Sequence, residues 1–185
     1  MQEVWTAGLD WDDALPCHLK AKWIAWVTEL PDLSQIAIPR SLRLPDPESV
    51  NFHLFADASK DAYPCAAYLV CDYTHSPSTS RLVESKCRVS PLKAITIPRL
   101  ELMGAVLSSR LARSVLNVLT VDRVIYWTDS ENVYYWVRNQ SREFKPFVAN
   151  CIDEIQRTTS PEQLGRYREL RIQPTCRQEV CPPST

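Results

Sequence analysis

The sequence predicts a mixed α/β domain, and three observations predict it. Three apolar, β-rich segments follow one another between residues 51 and 90, joined by short connections. A long amphipathic stretch, "IPRLELMGAVLSSRLARSVLNVL" (97–119), comes next. A fourth β-rich segment, "DRVIYWTDS" (122–130), then leads into two more helical stretches. Three strands, helix, strand, helix, helix is the order of a sheet layered with helices.

The first strand is "NFHLFADAS" (51–59), an apolar run that carries Asp57 and then turns polar. The second is "AYPCAAYLVCDY" (62–73), with small residues where something packs closely. "THSPSTS" (74–80) is rich in turn formers. "RLVESKCRVS" (81–90) alternates and reads as the third strand, which makes an antiparallel meander. In the long helix Pro98 suits the first turn, and Leu102, Ala105, Val106, Leu111 and Val115 supply the apolar face. "SENVYYWVRN" (130–139) is a short helix capped by Ser130, and "FKPFVANCIDEIQRT" (144–158) is another.

Upstream, "WDDALPCHLKAKWIAWVTEL" (11–30) places Leu15, Leu19, Trp23, Trp26, Val27 and Leu30 at helical spacing, with Asp12 or Asp13 near the start. Its tryptophans read as core or docking residues. "PDLSQIAIPRSLRLPDPESV" has four prolines and reads as an extended connector, with a strand at Ile36–Ile38. Beyond residue 159 the periodicity is lost.

Composition narrows the function classes. The 185 residues fit one ordinary domain plus a flanking segment. With 21 basic and 22 acidic residues the formal charge is −1, so nucleic-acid binding would need a local basic patch. Only 3 glycines are present, and neither GxGxxG nor GxxxxGKS/T occurs, which argues against a phosphate loop. Seven cysteines without a CxxC pair or a zinc spacing are expected as reduced, mostly buried thiols. There is no signal-like apolar segment, and no run approaches the roughly 20 apolar residues of a membrane span. The expectation is a soluble, intracellular protein without a membrane partner.

Three acids stand out by context: Asp57 in the first strand, Glu101 in the first turns of the long helix, and Asp129 at the end of the fourth strand. Functional side chains gather at such strand ends in α/β sheets. Each has a purely structural alternative. Asp57 suits an Asx turn with Ser59, Asp129 suits a helix cap in "TDSEN", and Glu101 suits the helix dipole. If the first and fourth strands are neighbours with the helix across them, the three carboxylates converge. Clustered carboxylates repel one another unless cations sit among them. Mg²⁺ or Mn²⁺, as hard oxygen-preferring ions, are the natural partners. Two such ions about 4 Å apart serve phosphodiester hydrolysis.

The motifs "FADAS", "IPRLELMGAVL" and "YWTDSENVYYWV" resemble the ribonuclease H domain of BEL/Pao-type LTR retrotransposon polyproteins. "LDWDDALPCHLKAKWIAWVTELPDLSQIAIPR" resembles the segment that links reverse transcriptase to that domain, and "FKPFVANCIDEIQ" and "SPEQ" also fit. The resemblance spans about residues 8 to 163. A "peptidase" label often attached to this family does not suit the chain, which has neither Asp-Thr-Gly nor Asp-Ser-Gly.

The resemblance implies a ribonuclease H-like fold. This is a five-stranded mixed sheet of order 3-2-1-4-5, its fifth strand short or missing, with helices on both faces. It implies that Asp57, Glu101 and Asp129 are the first three members of an Asp-Glu-Asp-Asp set holding two Mg²⁺ or Mn²⁺ ions. Asp57 and Asp129 would bridge the ions, and Glu101 would bind one of them. Ser59, Ser130 and Arg99 would support the site or touch substrate. Lys60, Lys86, Arg88, Lys93 and Arg99 are candidates for phosphate contacts, with ordinary surface charge as the alternative for each. The implied activity is hydrolysis of the RNA strand of RNA–DNA hybrids, read through the 2′-hydroxyl and groove shape. The implied partners are the hybrid and the reverse transcriptase domain of the same polyprotein. The implied location is a cytoplasmic retroelement particle, with the nucleus as the alternative. The competing function is a catalytically dead module that binds nucleic acid or a partner protein. An integrase-like nuclease on the same fold fits less well, because no zinc-binding His/Cys segment lies upstream.

The chain departs from the family pattern at its end. The fourth acid should follow in a stretch resembling "NPADxxSRG", but after Gln163 the sequence reads "LGRYRELRIQPTCRQEVCPPST". Shifted by one nucleotide, codons for "IQPTCRQEV" (172–180) can be read as Asn-Pro-Thr-Asp-Met-Pro-Ser-Arg-Gly. The expected division is therefore a connector over 1–50, a ribonuclease H-like domain over 51–163 and an aberrant or disordered tail over 164–185. A chain that lacks the fourth carboxylate is expected to lose most of its rate.

Overall fold

The computed structural model describes residues 2–167. The chain divides into two compact units between Ser41 and Leu42. The first contains helix α1 (Gln2–Thr6), helix α2 (Cys17–Glu29) and a 3₁₀ turn over Leu30–Gln35. Helix α2 starts at Cys17, later than the pattern suggested, because the preceding acids are engaged locally. Asp10 accepts the Trp11 N–H (2.8 Å), and Asp13 accepts the Asp10 N–H (2.8 Å), which closes a turn instead of a cap. No strand forms at Ile36–Ile38. Both isoleucines are exposed and follow the 3₁₀ turn, and a lone extended segment has no ladder to join.

The second unit carries the sheet. Its strands are β1 (Ser49–Ala56), β2 (Ala62–Asp72), β3 (Thr79–Val89), β4 (Arg123–Thr128) and β5 (Leu164–Arg166). Helices α3 (Ile97–Leu116), α4 (Glu131–Arg138) and α5 (Pro146–Gln156) fill the connections. The strand order is β3-β2-β1-β4-β5, as expected. β1, β2 and β3 form the antiparallel meander, and β4 and β5 run parallel to β1. The fifth strand is short, with three residues beside Tyr126, Trp127 and Thr128. It draws on the stretch set apart as a tail. The rereading at 172–180 lies outside the described residues.

One core cluster joins alternate positions of the strands to all three helices of this unit. Phe52 and Leu54 of β1, Ala67 and Leu69 of β2, Leu102 and Leu111 of α3, Val133 of α4 and Ile152 of α5 are all within it. The predicted apolar face of α3 is buried at every named position. The helix expected on the opposite face would follow β5, beyond the described residues. That face carries its own stack. His53, Phe55 and Trp127 lie ring against ring, and the Trp127 Nε1–H donates to His53 Nδ1 (2.9 Å). A buried imidazole and indole thus satisfy each other.

All five cysteines among the described residues are free. Cys65 and Cys71 are buried, Cys151 is half-buried, and Cys17 and Cys87 are exposed. Burial pushes the Cys65 thiol up to about 11. Among the described residues no helix is long and apolar enough to cross a membrane.

Candidate functional site

The parallel pairing of β1 with β4 sets the site. Phe55 stands opposite Trp127, so Asp57 and Asp129 each follow two residues later at the same end of the sheet. Asp57 lies one residue past β1 rather than inside it. Its N–H donates to the Pro64 carbonyl (3.3 Å), and its Oδ1 accepts the Ala58 N–H (2.7 Å). The strand ends there because Ser59 closes the turn into β2. Its N–H donates to the Ala62 carbonyl (2.8 Å), and its hydroxyl accepts from the Asp61 and Ala62 N–H groups. The Ser59 hydroxyl is therefore engaged in the hairpin.

Helix α3 brings Glu101 to the same end. Leu100 and Leu102 are fully buried on either side and fix its rotation. Gly104 lets the helix approach. A Cβ there would sit 3.1 Å from the Asp57 carbonyl oxygen and 3.7 Å from Ala56 Cβ. Ser130 joins the elements. Its hydroxyl donates to Glu101 Oε2 (2.6 Å) and accepts the Val133 N–H (3.2 Å), so one side chain caps α4 and holds Glu101. The cap that "TDSEN" offered is thus Ser130, which leaves the Asp129 carboxyl out of that role. Arg99 lies over the Phe147 ring of α5, 5.4 Å from its centroid.

Electrostatics couples the two aspartates. Partial burial raises the Asp129 carboxyl above the usual range, and the nearby Asp57 charge raises it further. As the side chains stand, no group of three or more His, Cys, Asp or Glu among the described residues is arranged to hold a metal ion. Glu101 is turned to Ser130 instead. The donors still fit a hard divalent cation in kind: they are all carboxylate oxygens, and the repulsion between Asp57 and Asp129 is what such an ion relieves.

Lys86 and Arg88, singled out in the sequence, line a groove beside this end of the sheet. Arg110, Tyr63 and Asn150, which line it with them, were not singled out. The signal for Arg110 was present in the helical period, since Met103, Leu107 and Arg110 fall on one face of α3.

The model of the Pao retrotransposon-like RNaseH-like domain family matches residues 1–130. A comparison with curated proteins finds no match. Among solved structures, the N-terminal RNase H domain of a Mycobacterium tuberculosis protein is similar at 15% identity and a TM-score of 0.42. The match covers 64% of this chain and 78% of that one. A prototype foamy virus protease-reverse transcriptase is similar at 16% identity and a TM-score of 0.43, over 88% of this chain and 25% of that one. An RNase H1 solved with an RNA/DNA hybrid is similar at 10% identity and a TM-score of 0.38, over 63% and 82%. At these scores the fold rests on the sheet order itself.

Proposed function

The chain belongs to the Pao retrotransposon-like RNaseH-like domain family, and from that premise we propose that it is a retroelement ribonuclease H domain cutting the RNA strand of RNA–DNA hybrids. The observation that carries the reading is the gathering of Asp57, Glu101 and Asp129 at one end of the sheet, with Asp129 raised by burial and further by Asp57, and with Glu101 bound to Ser130. Asp57, Glu101 and Asp129 would hold Mg²⁺ or Mn²⁺. Bound there, the ions supply an activated water and stabilise the leaving oxygen. The chain's own part is positional. The β1–β4 pairing sets the aspartates side by side, Gly104 admits the helix, and Ser130 fixes where Glu101 waits. The substrate would be recognised through backbone and groove shape. The reading places the domain beside the reverse transcriptase of its polyprotein, in a cytoplasmic particle.

A second reading is binding without cleavage. It is favoured by the lack, among the described residues, of a closed set of three metal-ready ligands. A Mg²⁺-dependent cleavage assay on a labelled hybrid separates the two. Cleavage that drops by orders of magnitude in Asp57→Asn supports the first reading. Cleavage that persists in Asp57→Asn removes the site assignment, and binding with no cleavage by the unaltered chain selects the second reading.

A further inference from the structure

Three carboxylates at a sheet end repel the polyanion they are meant to meet, so a working site needs cations within reach of the same strand. The groove beside them supplies three. It measures about 360 Å³ and is lined by Tyr63, Lys86, Arg88, Arg110, Phe147 and Asn150, among others. Its position follows from the ladder. The Asp57 N–H is bonded to Pro64, and the preceding Tyr63 pairs with Arg88 in β3. Pro64 itself pairs with Cys87, so Arg88 stands one residue beyond the level of Asp57 and two strand spacings away, roughly 10 Å across the sheet. Arg110 lies nine residues along α3 from Glu101, roughly 14 Å at the helical rise.

The charges are partly matched. Arg110 donates from Nε and Nη2 to the two carboxylate oxygens of Glu154 (2.5 and 2.9 Å), and Lys86 lies 3.2 Å from Glu84. Both pairs are open to solvent, where such pairs are weak and exchange readily with another anion. Arg88 is exposed, and no ion pair is found for it among the described residues. Three cations against two carboxylates leave the groove positive. Its floor is apolar, with Phe147 partly exposed.

We propose that this groove is a second nucleic-acid contact, which takes a backbone phosphate on Lys86, Arg88 and Arg110 with Phe147 and Tyr63 against the adjoining sugar or base. The proposal rests on the hybrid-cleaving reading and adds to it a place where the strand is held away from the carboxylates. A polyanion fits better than an acidic peptide. The groove includes Tyr63 and Arg88, at the strand ends next to the Pro64 that holds the Asp57 N–H, so one rod-like ligand can meet both.

The test is binding of a fluorescent RNA–DNA hybrid to the full chain in EDTA, which suppresses cleavage, over a range of salt concentrations. Arg88→Ala is expected to weaken binding several-fold and to lower the slope of log K against log salt by about one. Lys86→Ala combined with Arg88→Ala is expected to lower it by about two. Arg88→Lys is expected to keep the slope and to show that the strand edge still folds. Lys22→Ala, in the other unit, is the control with an unchanged slope. Hybrid binding with the same slope in Arg88→Ala and in the double variant overturns the groove proposal alone. No hybrid binding by the unaltered chain overturns the functional reading as well. Binding of poly-glutamate but not hybrid, lost in Arg88→Ala, also overturns the proposal and marks the groove as a protein contact.

Discussion

Trp127 in β4 is 6% exposed, whereas Trp11, Trp23 and Trp26 in the first unit are 89%, 55% and 52% exposed. The two units contain apolar residues of the same kinds and treat them differently. In the second, a sheet offers a broad face, and three helices close over it with Phe52, Leu54, Leu102 and Leu111 fully buried. In the first, α2 has helical spacing, yet Leu19 is its one buried residue among those described. An amphipathic pattern makes a helix. It makes a core only where another element covers the same stripe.

The comparison can be broken first at its strongest point. Phe52→Ala or Leu111→Ala is expected to cost about 3–5 kcal/mol through lost transfer energy and the cavity left behind. Urea unfolding of each variant measures this. A cost below about 1 kcal/mol would mean that the core described here is not closely packed.

The opposite face of the sheet sharpens the contrast through pH. Burial pushes the His53 imidazole down to about 4, while its unfolded value lies near 6.5, and the Asp72 charge opposes the shift only in part. The folded protein therefore binds this proton less readily than the unfolded chain. The stability it contributes is fully present above about pH 6.5 and is lost as the pH falls toward 4, by on the order of 3 kcal/mol. His53→Asn should flatten that part of the pH–stability curve. An unchanged curve would show that His53 is not buried as a neutral acceptor for Trp127.

The Ser130 cap comes next. Ser130→Ala is expected to cost about 1 kcal/mol in thermal or urea unfolding, and it also frees Glu101. Ser130→Asp should recover much of the stability, since Asp also caps, while placing a new charge beside Glu101. In the first unit, Trp23→Ala is expected to shift unfolding of the sheet unit by less than about 0.5 kcal/mol. A large shift there would mean that the tryptophan is covered in the intact protein.

Much of the sheet was legible because alternation and turn residues mark it locally, so the three-strand meander, the long helix and the capped helix after Asp129 all stand where the sequence put them. The carboxylates were legible as positions in elements, since a strand end and a first helical turn can be read from pattern. Their exact environment was not. Glu101 bonding to Ser130 depends on a contact across 29 residues, and the closeness of α3 to Asp57 depends on Gly104 meeting a backbone oxygen. The Arg110–Glu154 pair spans 44 residues, and the His53–Trp127 bond spans 74. Side-chain pairs of that range leave no trace in local periodicity. The start of α2 was misplaced for the opposite reason. Asp10 and Asp13 satisfy local N–H groups, and the sequence offers that choice and a helix cap equally well.

The central claim is that Asp57, Glu101 and Asp129 form one divalent-cation site, and Mn²⁺ titration of the ¹⁵N-labelled chain followed by NMR tests it most directly. The account predicts selective paramagnetic broadening of the amides around Asp57, Glu101 and Asp129, competed by Mg²⁺ and abolished by Asp57→Asn with Asp129→Asn. Broadening that is absent at these three positions, or that survives the double substitution, would contradict it.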